Sequence, residues 1–388
     1  MERKRLSDLC DVRSGGTPSK SNPGFWTGAI PWISPKDMKS TEIEDATDHI
    51  SEIAIESSAA STVPAQSILV VVRSGVLAHT LPVAKTLARV SFNQDIKALI
   101  PKPEAVDPDY LYWFVRSTAT DVIARGVKKG ATVHSVVSGY IERLQVPLPP
   151  RADQHRIVDL LSRAEGIVRL RREAQKKASE LLPALVLDMF GDPASNPKGW
   201  AVKAIGTLCP VQTGATPLRE EKRFYEGGTI PWVKTGEVSG SIFSIEERIT
   251  ESAVSETNCK VFPVNTILIA MYGQGQTRGR AGILRIPAAS NQACAAVLPS
   301  DNINQAYLYE VLRMQYARLR AMGRGGNQAN LNLTMIKTLQ IPVPPTALQG
   351  EFQGRAIAIS SIEGRQAAAM NKSQSTFNAL LHRAFASV

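Results

Sequence analysis

Leu144-Gln145-Val146-Pro147-Leu148-Pro149-Pro150 returns, 195 residues later, as Leu339-Gln340-Ile341-Pro342-Val343-Pro344-Pro345. Upstream of this stretch the repetition continues. Ile30-Pro31-Trp32 matches Ile230-Pro231-Trp232, and Gly16-Thr17-Pro18 matches Ala215-Thr216-Pro217. Val63-Pro64 with Ile68-Leu69 matches Phe262-Pro263 with Ile267-Leu268. Asn93-Gln94 matches Asn291-Gln292, and Tyr110-Leu111-Tyr112 matches Tyr307-Leu308-Tyr309. The order is kept and the offset stays between 195 and 200 residues. Solenoid repeats run about 20–50 residues. A period this long is that of a duplicated domain, each copy closed by a short Pro-rich hinge.

A chain of 388 residues has room for two or three domains, each with its own core. The mean hydropathy is −0.10, and no apolar run approaches the roughly 18 residues that a membrane span needs. The start, Met1-Glu2-Arg3-Lys4-Arg5, leads into polar sequence without an apolar signal region. These features predict a cytoplasmic protein with no membrane partner. Cys10, Cys209, Cys259 and Cys294 are far apart and predict buried, reduced thiols, not a disulfide framework or a zinc site. The net charge of +10 and pI near 9.5 suggest a polyanionic partner. Basic residues outnumber acidic ones 17 to 16 over 1–150, 8 to 6 over 151–190, 16 to 11 over 191–346 and 4 to 2 over 347–388. In the first segment the acids cluster between Asp37 and Glu56. The pattern is one of local basic surfaces, not a basic tail.

Before each hinge, short apolar runs alternate with Gly, Pro and Ser turns. Ser67–Val72 and its counterpart Thr266–Tyr272 read as buried strands. Helices are expected to start near Asp107-Pro108-Asp109, carrying Tyr110, Leu111, Phe114 and Val115, and near Asn304, carrying Tyr307, Leu308, Val311 and Leu312. After each hinge the period becomes helical. Leu160, Ala164, Ile167, Arg171, Ala174, Ala178, Leu181 and Leu185 alternate spacings of four and three, as do Phe352, Ala356, Ile359, Glu363, Gln366, Met370, Ser373, Phe377, Leu380 and Ala384. Both are imperfect coiled-coil seams, on helices roughly 45–50 Å long. An antiparallel pair is the natural arrangement, because the first helix must lead into the second copy. Pro183 is expected to kink or end the first helix, and 191–199 reads as a turn-rich linker.

Catalytic patterns are sparse. Gly15-Gly16-Thr17-Pro18-Ser19-Lys20-Ser21 lacks the Gly that a phosphate loop places before its Lys. Gly273, Gly275 and Gly279 are mis-spaced for a dinucleotide fingerprint. The five histidines form no metal-ligand spacing, and no Asn/Asp-Pro-Pro-aromatic run of an aminomethyltransferase is present. A nuclease pair Asp95 and Lys97 has no counterpart in the second copy, which reads Ala293-Cys294-Ala295. The copies share scaffold residues and differ in loops, which is how one fold carries two specificities. Arg73-Ser74-Gly75 corresponds to Tyr272-Gly273-Gln274-Gly275-Gln276-Thr277-Arg278-Gly279-Arg280, whose Gln, Thr and Arg suit base edges and phosphates. Two further basic or polar loops precede the hinges, 125–130 and 324–330. The candidate DNA contacts are Lys20, Arg73, Ser74, Lys128 and Lys129 in the first copy. In the second they are Gln274, Gln276, Thr277, Arg278, Arg280, Arg324 and Asn327. The Ile-Pro-Trp tryptophans are expected in the core.

The whole pattern resembles the specificity subunit of type I restriction–modification systems. The resemblance rests on Tyr272–Gly279, Asn93-Gln94 with Asn291-Gln292, and Asn330-Leu331-Asn332-Leu333. It rests also on the duplicated hinge followed by Gln154 or Gln349 and a long helix, and on the junction Phe190-Gly191-Asp192-Pro193 with Asn196-Pro197 and Gly199-Trp200. The first copy departs from it, with Arg73-Ser74-Gly75 in place of the Tyr-Gly form and Val133-His134-Ser135-Val136 in place of Ala329–Asn332. The resemblance implies an α+β fold: two tandem pseudo-symmetric α/β target-recognition domains separated by two long helices packed as an antiparallel coiled coil. The divisions would be a first recognition domain at 1–150, a spacer helix at 151–190, a linker and second recognition domain at 191–346, and a second spacer helix at 347–388. It implies a non-catalytic subunit that reads a bipartite double-stranded DNA site and recruits two adenine-N6 methyltransferase subunits and restriction/translocase subunits. No cofactor would be held by this chain; S-adenosylmethionine, ATP and Mg belong to the partners. The alternative is a stand-alone DNA-binding or regulatory protein without methyltransferase partners.

Overall fold

The computed structural model describes residues 2–273, 275–322 and 330–386. The chain forms two compact units, Met1–Arg172 with Ala369–Val388, and Glu173–Ala368. Among the described residues, no helix is long and apolar enough to cross a membrane.

Each unit is built on a five-stranded sheet of the same topology. In the first, Ile68–Val71 is central between Ile96–Pro101 and Val83–Thr86, with Cys10–Ser14 and Glu42–Ile43 at the edges. In the second, Ile267–Ala270 is central between Cys294–Val297 and Ala281–Leu284, with Val211–Thr213 and Gly240–Ile242 outside. In both sheets three pairings are antiparallel and the last is parallel. The two apolar runs are therefore strands, each shorter than its sequence expectation, and every residue in them is buried.

The Ile-Pro-Trp segments are central strands of a smaller sheet, Ile30–Ile33 in one unit and Ile230–Val233 in the other. Trp32 and Trp232 are buried. Each indole N–H donates at 3.0 Å to a backbone carbonyl, of Gly16 and of Ala215, so the tryptophans pack in the core as expected. A Cβ at Gly15 would collide with the Phe92 carbonyl oxygen, and one at Gly214 with that of Ser290. Glycine is therefore the residue that lets this loop lie against its sheet.

The expected short helices are Pro108–Ser117 and Gln305–Met314. Asp107 caps the first by accepting from Tyr110 N at 2.9 Å, and Asn304 caps the second by accepting from Ala306 N at 2.9 Å. A side-chain oxygen at this position satisfies an amide that the helix itself cannot reach.

The Pro-rich segments are held by strand pairing and side-chain hydrogen bonds. Gln145–Pro147 pairs antiparallel with Arg3–Arg5, and Gln340–Val343 with Ala201–Ala204. Tyr110 donates its hydroxyl to the Pro147 carbonyl at 2.8 Å, and Tyr307 donates to that of Pro342 at 3.0 Å. One turn into each long helix lies a glutamine that is only 3% exposed at Gln154 and 1% at Gln349. Gln154 Nε2 donates to the Pro149 carbonyl at 2.9 Å while its Oε1 accepts from Asp107 N at 3.0 Å. Gln349 does the same with Pro344 at 2.7 Å and Asn304 N at 2.8 Å. A single amide thus ties the joint, the long helix and the cap of the short helix together.

The long helices run over Arg151–Phe190 and Thr346–Ala386. Pro183 does not end the first of them. An interior proline costs about 3 kcal/mol. Beyond it Val186, Met189 and Phe190 are buried, each worth roughly 1.5–3 kcal/mol, so continuing the helix wins. The helix stops at Gly191, in the left-handed region at φ +78. The Trp200 indole donates to the Phe190 carbonyl at 2.9 Å, and Lys198 Nζ donates to those of Asp188 and Met189 at 2.7 and 2.9 Å. The segment read as a linker is an ordered C-cap.

The second seam holds: Phe352, Ala356 and Phe377 are buried, and every other residue of the series is partly buried. The first holds at Ala178, which is buried, and at Ala164, Ala174 and Leu185, which are partly buried, but is displaced by one residue at three positions. Leu160, Ile167 and Leu181 are exposed, and Leu161, Val168 and Leu182 take their places inside. In the first unit, Leu161 and Val168 share a core with Phe377, Leu381 and Phe385, so the start of one long helix meets the end of the other. In the second unit, Val186 and Phe190 share a core with Phe352 and Ala356. That exchange of ends is an antiparallel pairing. It makes the units equivalent in detail: Phe385 packs on Tyr110 at 5.3 Å, and Phe190 on Tyr307 at 4.6 Å.

Gln154→Ala leaves the Asp107 amide and the Pro149 carbonyl buried without partners. Its expected cost to the unit that contains it is about 2–5 kcal/mol, measured by chemical unfolding of the full chain. A loss below about 0.5 kcal/mol, the scatter of ordinary surface substitutions, would show that the joint does not depend on this glutamine.

Candidate nucleic-acid interface

In the first unit the structure brings two separated candidates together. Val127–Lys128, His134–Val136 and Arg73–Ser74 form a three-stranded sheet in that order. The register pairs Lys128 with Ser135 and Ser135 with Arg73. Residues in one cross-strand row share a face, with neighbouring strands about 4.8 Å apart. Arg73, Ser135 and Lys128 therefore make a short row of two cations flanking a hydroxyl, with Lys129 exposed beside it. Ser74 has a second task, since its hydroxyl accepts from Val76 N at 3.3 Å to cap a 3-10 turn. Lys20 is exposed on the loop before Pro23–Trp26 and is not part of this sheet.

In the second unit the glycine-rich loop is the centre. Gly273, Gly275 and Gly279 have φ of +136, +61 and +83, a region closed to most side chains. Gln276 is exposed and Thr277, Arg278 and Arg280 are half-buried. Thr277 packs beneath Gly273, and Arg280 Nη2 donates to Gln276 Oε1 at 3.3 Å. Arg278 Nε is buried without a hydrogen-bond partner among the described residues. Gln274, Arg324 and Asn327 lie outside the described residues.

Among the described residues some surface cations are neutralised and others are not, and the candidates fall among those that are not, as do Arg143, Lys203 and Lys337 elsewhere on the surface. Arg89 pairs with Glu52, Arg116 with Glu165, Arg219 with Glu247 and Arg223 with Glu256. Lys20, Arg73, Lys128, Lys129 and Arg278 have no acidic partner among the described residues. Cations left unpaired on an exposed face suit phosphate oxygens, and arginine and glutamine beside them suit base edges.

The alternative nuclease pair is otherwise engaged. Asp95 accepts from Asn93 Nδ2 at 3.1 Å in a local turn, and Lys97 forms an ion pair with Glu142. The four cysteines are free and buried. Burial pushes the Cys10 and Cys294 thiols up to about 12, so neither is a ready nucleophile. A cavity of about 470 Å3 lies beside the glycine-rich loop, between Gln276, Arg280 and Tyr316 on one side and Arg313, Ser360 and Glu363 on the other. Glu310, Ser360 and Leu182 stand here where the first unit has Trp113, Glu165 and Phe377 packed around Arg116. Burial pushes the Glu310 carboxyl up, and Arg313, bonded to it at 2.9 and 3.1 Å, pulls the other way.

Sequence reading missed Ser135, whose role depends on strand register, and Tyr316, considered below. The Tyr316, Arg318 and Arg320 spacing on one short helix was the available signal for the latter.

The model of the type I restriction modification DNA specificity domain matches residues 1–179 and again 197–353. The MjaIX specificity subunit of a type I restriction enzyme from Methanocaldococcus jannaschii is 25% identical over 375 residues, 90% of this chain and 84% of that protein. A type I restriction enzyme specificity subunit from Escherichia coli is 36% identical over 182 residues, 47% of this chain and 45% of that one. Among solved structures, the type I restriction-modification S subunit from M. genitalium aligns with a TM-score of 0.59 at 14% identity, over 99% of this chain and 96% of that one. A chain from a study of complex assembly and conformational transition in the type I R-M system aligns with a TM-score of 0.62 at 17% identity, over 99% and 97%. The fold is shared with both.

If the row in the first unit contacts phosphate, Arg73→Ala and Lys128→Ala each make the dependence of log affinity on log salt shallower by about 0.9. Arg89→Ala, which removes a cation already paired, is the control. Unchanged slopes in binding titrations of the first two variants would remove this row from the interface.

Proposed function

Because this chain belongs to the type I restriction–modification DNA specificity family, we propose that it reads a bipartite double-stranded DNA site, one half with each unit. It recruits two adenine-N6 methyltransferase subunits and ATP-dependent restriction/translocase subunits to that site. One observation carries this reading. The units share joint, sheet and tryptophan anchors but present different unpaired polar and basic groups, Arg73, Ser135 and Lys128 in one and the Gly273–Arg280 loop in the other. A common frame with two unlike contact surfaces is what reading two half-sites requires. Lys20 and Lys129 add phosphate contacts, and Gln274, Arg324 and Asn327, which lie outside the described residues, remain DNA contacts proposed from sequence alone. The chain contributes recognition and spacing in the cytoplasm. S-adenosylmethionine, ATP and Mg are bound by the partners, whose chemistry acts on the DNA held here.

The displaced seam supports methyltransferase recruitment. Leu160, Ile167 and Leu170 lie at i, i+7 and i+10 on the first long helix and are 48%, 52% and 62% exposed. An apolar stripe left outside the helical pair fits a helical partner. The long helices, of 40 and 41 residues, set the unread spacer between the half-sites.

Sequencing of modified bases in host DNA with and without the gene tests the function. Its loss is expected to erase one bipartite N6-methyladenine motif. One heptad added to both helices adds about 10 Å and is expected to lengthen the spacer by about three base pairs with both half-sites unchanged. An unaltered spacer would refute the helices as the ruler. Ile167→Glu is expected to abolish co-purification of the methyltransferase subunit while the chain still binds DNA. A stand-alone DNA-binding protein would instead show no such partner for the unmodified chain.

A further inference from the structure

We propose that Tyr316 is the positioning residue of the second unit's recognition loop, holding Gln276, Thr277 and Arg278 in the geometry in which they read DNA. The proposal rests on the functional reading above and deepens it. Tyr316 begins the short helix Tyr316–Met322. Its hydroxyl donates to the backbone carbonyl of Gln276 at 2.6 Å and accepts from Arg320 Nη1 at 3.3 Å, while the Arg320 guanidinium lies 5.6 Å from the centre of its ring. The same helix supports the loop at a second point. A Cβ at Gly279 would lie 3.2 Å from Arg320 Cγ and 3.3 Å from Leu319 Cβ, and φ there is +83. From that point the backbone returns to the sheet, with Gly279 N donating to the Ala270 carbonyl at 2.8 Å and Arg280 N to that of Thr277 at 3.1 Å.

The first unit shows why such a strut is needed. Its loop is held by strand pairing, Arg73–Ser74 on His134–Val136. In the second unit Leu331 N donates to the Met271 carbonyl at 3.0 Å, as Val136 N does to that of Val72 at 2.8 Å, and residues 323–329, upstream where this pairing would extend, lie outside the described residues. At the position of Tyr316 the first unit has Ala119. Three glycines with positive φ give the second loop freedom that costs recognition unless it is removed beforehand. The Tyr316 hydroxyl removes it at Gln276, itself a candidate DNA contact and the neighbour of Thr277 and Arg278. Because it acts through the backbone of Gln276, Tyr316 need not touch DNA.

The test is Tyr316→Phe in the full chain, which keeps the ring and its stacking and removes only the hydroxyl. Two readouts are combined. Amide hydrogen exchange without DNA is expected to be roughly fivefold faster at 275–280, the size of one neutral hydrogen bond, and unchanged in the first unit's sheet. In host cells, the modified motif is expected to lose base discrimination in one half-site and keep it in the other. Faster exchange with no bipartite motif even for the unmodified chain would sink the functional reading and leave the strut standing. Unchanged exchange would overturn the strut. So would a motif degraded equally in both halves, the signature of a general folding role. Gly279→Ala disturbs the second point of support and is expected to relax the same half-site.

Discussion

A buried glutamine side chain with both ends used decides how each unit is assembled. Its amide nitrogen bonds a proline carbonyl that has no amide partner of its own. Its oxygen bonds the first free amide of the neighbouring helix. Neither group is strong alone, since a neutral hydrogen bond nets about 1 kcal/mol. Their weight comes from geometry: at a site this buried, water does not replace either partner. The proline pair ends the strand because it has no amide to donate, and the glutamine then fixes the angle at which the long helix leaves. The spacing of hinge proline to glutamine is therefore identical in both copies, while the surrounding loops drift.

That constraint explains what was readable in the sequence. The repeat, the central strands, the Asp107 and Asn304 caps and the buried tryptophans are local patterns, and local patterns survive translation into structure. The inward face of the second long helix was readable throughout its series. That of the first was not. Leu160-Leu161, Ile167-Val168 and Leu181-Leu182 are adjacent apolar pairs, and heptad spacing fits either member. The choice is made by partners elsewhere in the chain, among them Phe377 and Phe352. That the helix runs past Pro183 has a related reason: a local penalty is outweighed by the burial that lies beyond it.

The candidate site was legible as composition and not as geometry. Nothing near Arg73 in the sequence indicates that it shares a row with Lys128. Ser135 joins them only through the register of a strand some sixty residues away. The glycine-rich loop was easier, because glycine at left-handed φ is both its sequence signature and its structural cause. Even there the support comes from a helix about forty residues on, a long-range contact that periodicity does not report.

The two units solve one problem with opposite means. A contact loop must be rigid enough to discriminate, yet its residues must be free to diverge between copies. The first unit builds rigidity into main-chain pairing, which tolerates many side chains but confines the loop to a strand. The second keeps an irregular, glycine-rich backbone and braces it on one short helix, through the Tyr316 hydroxyl at Gln276 and through Leu319 and Arg320 at Gly279. Neither device uses the glutamine joint. Changes in what each unit contacts are thereby insulated from the interactions that keep it folded, and the two halves of the chain could diverge in the one without losing the other.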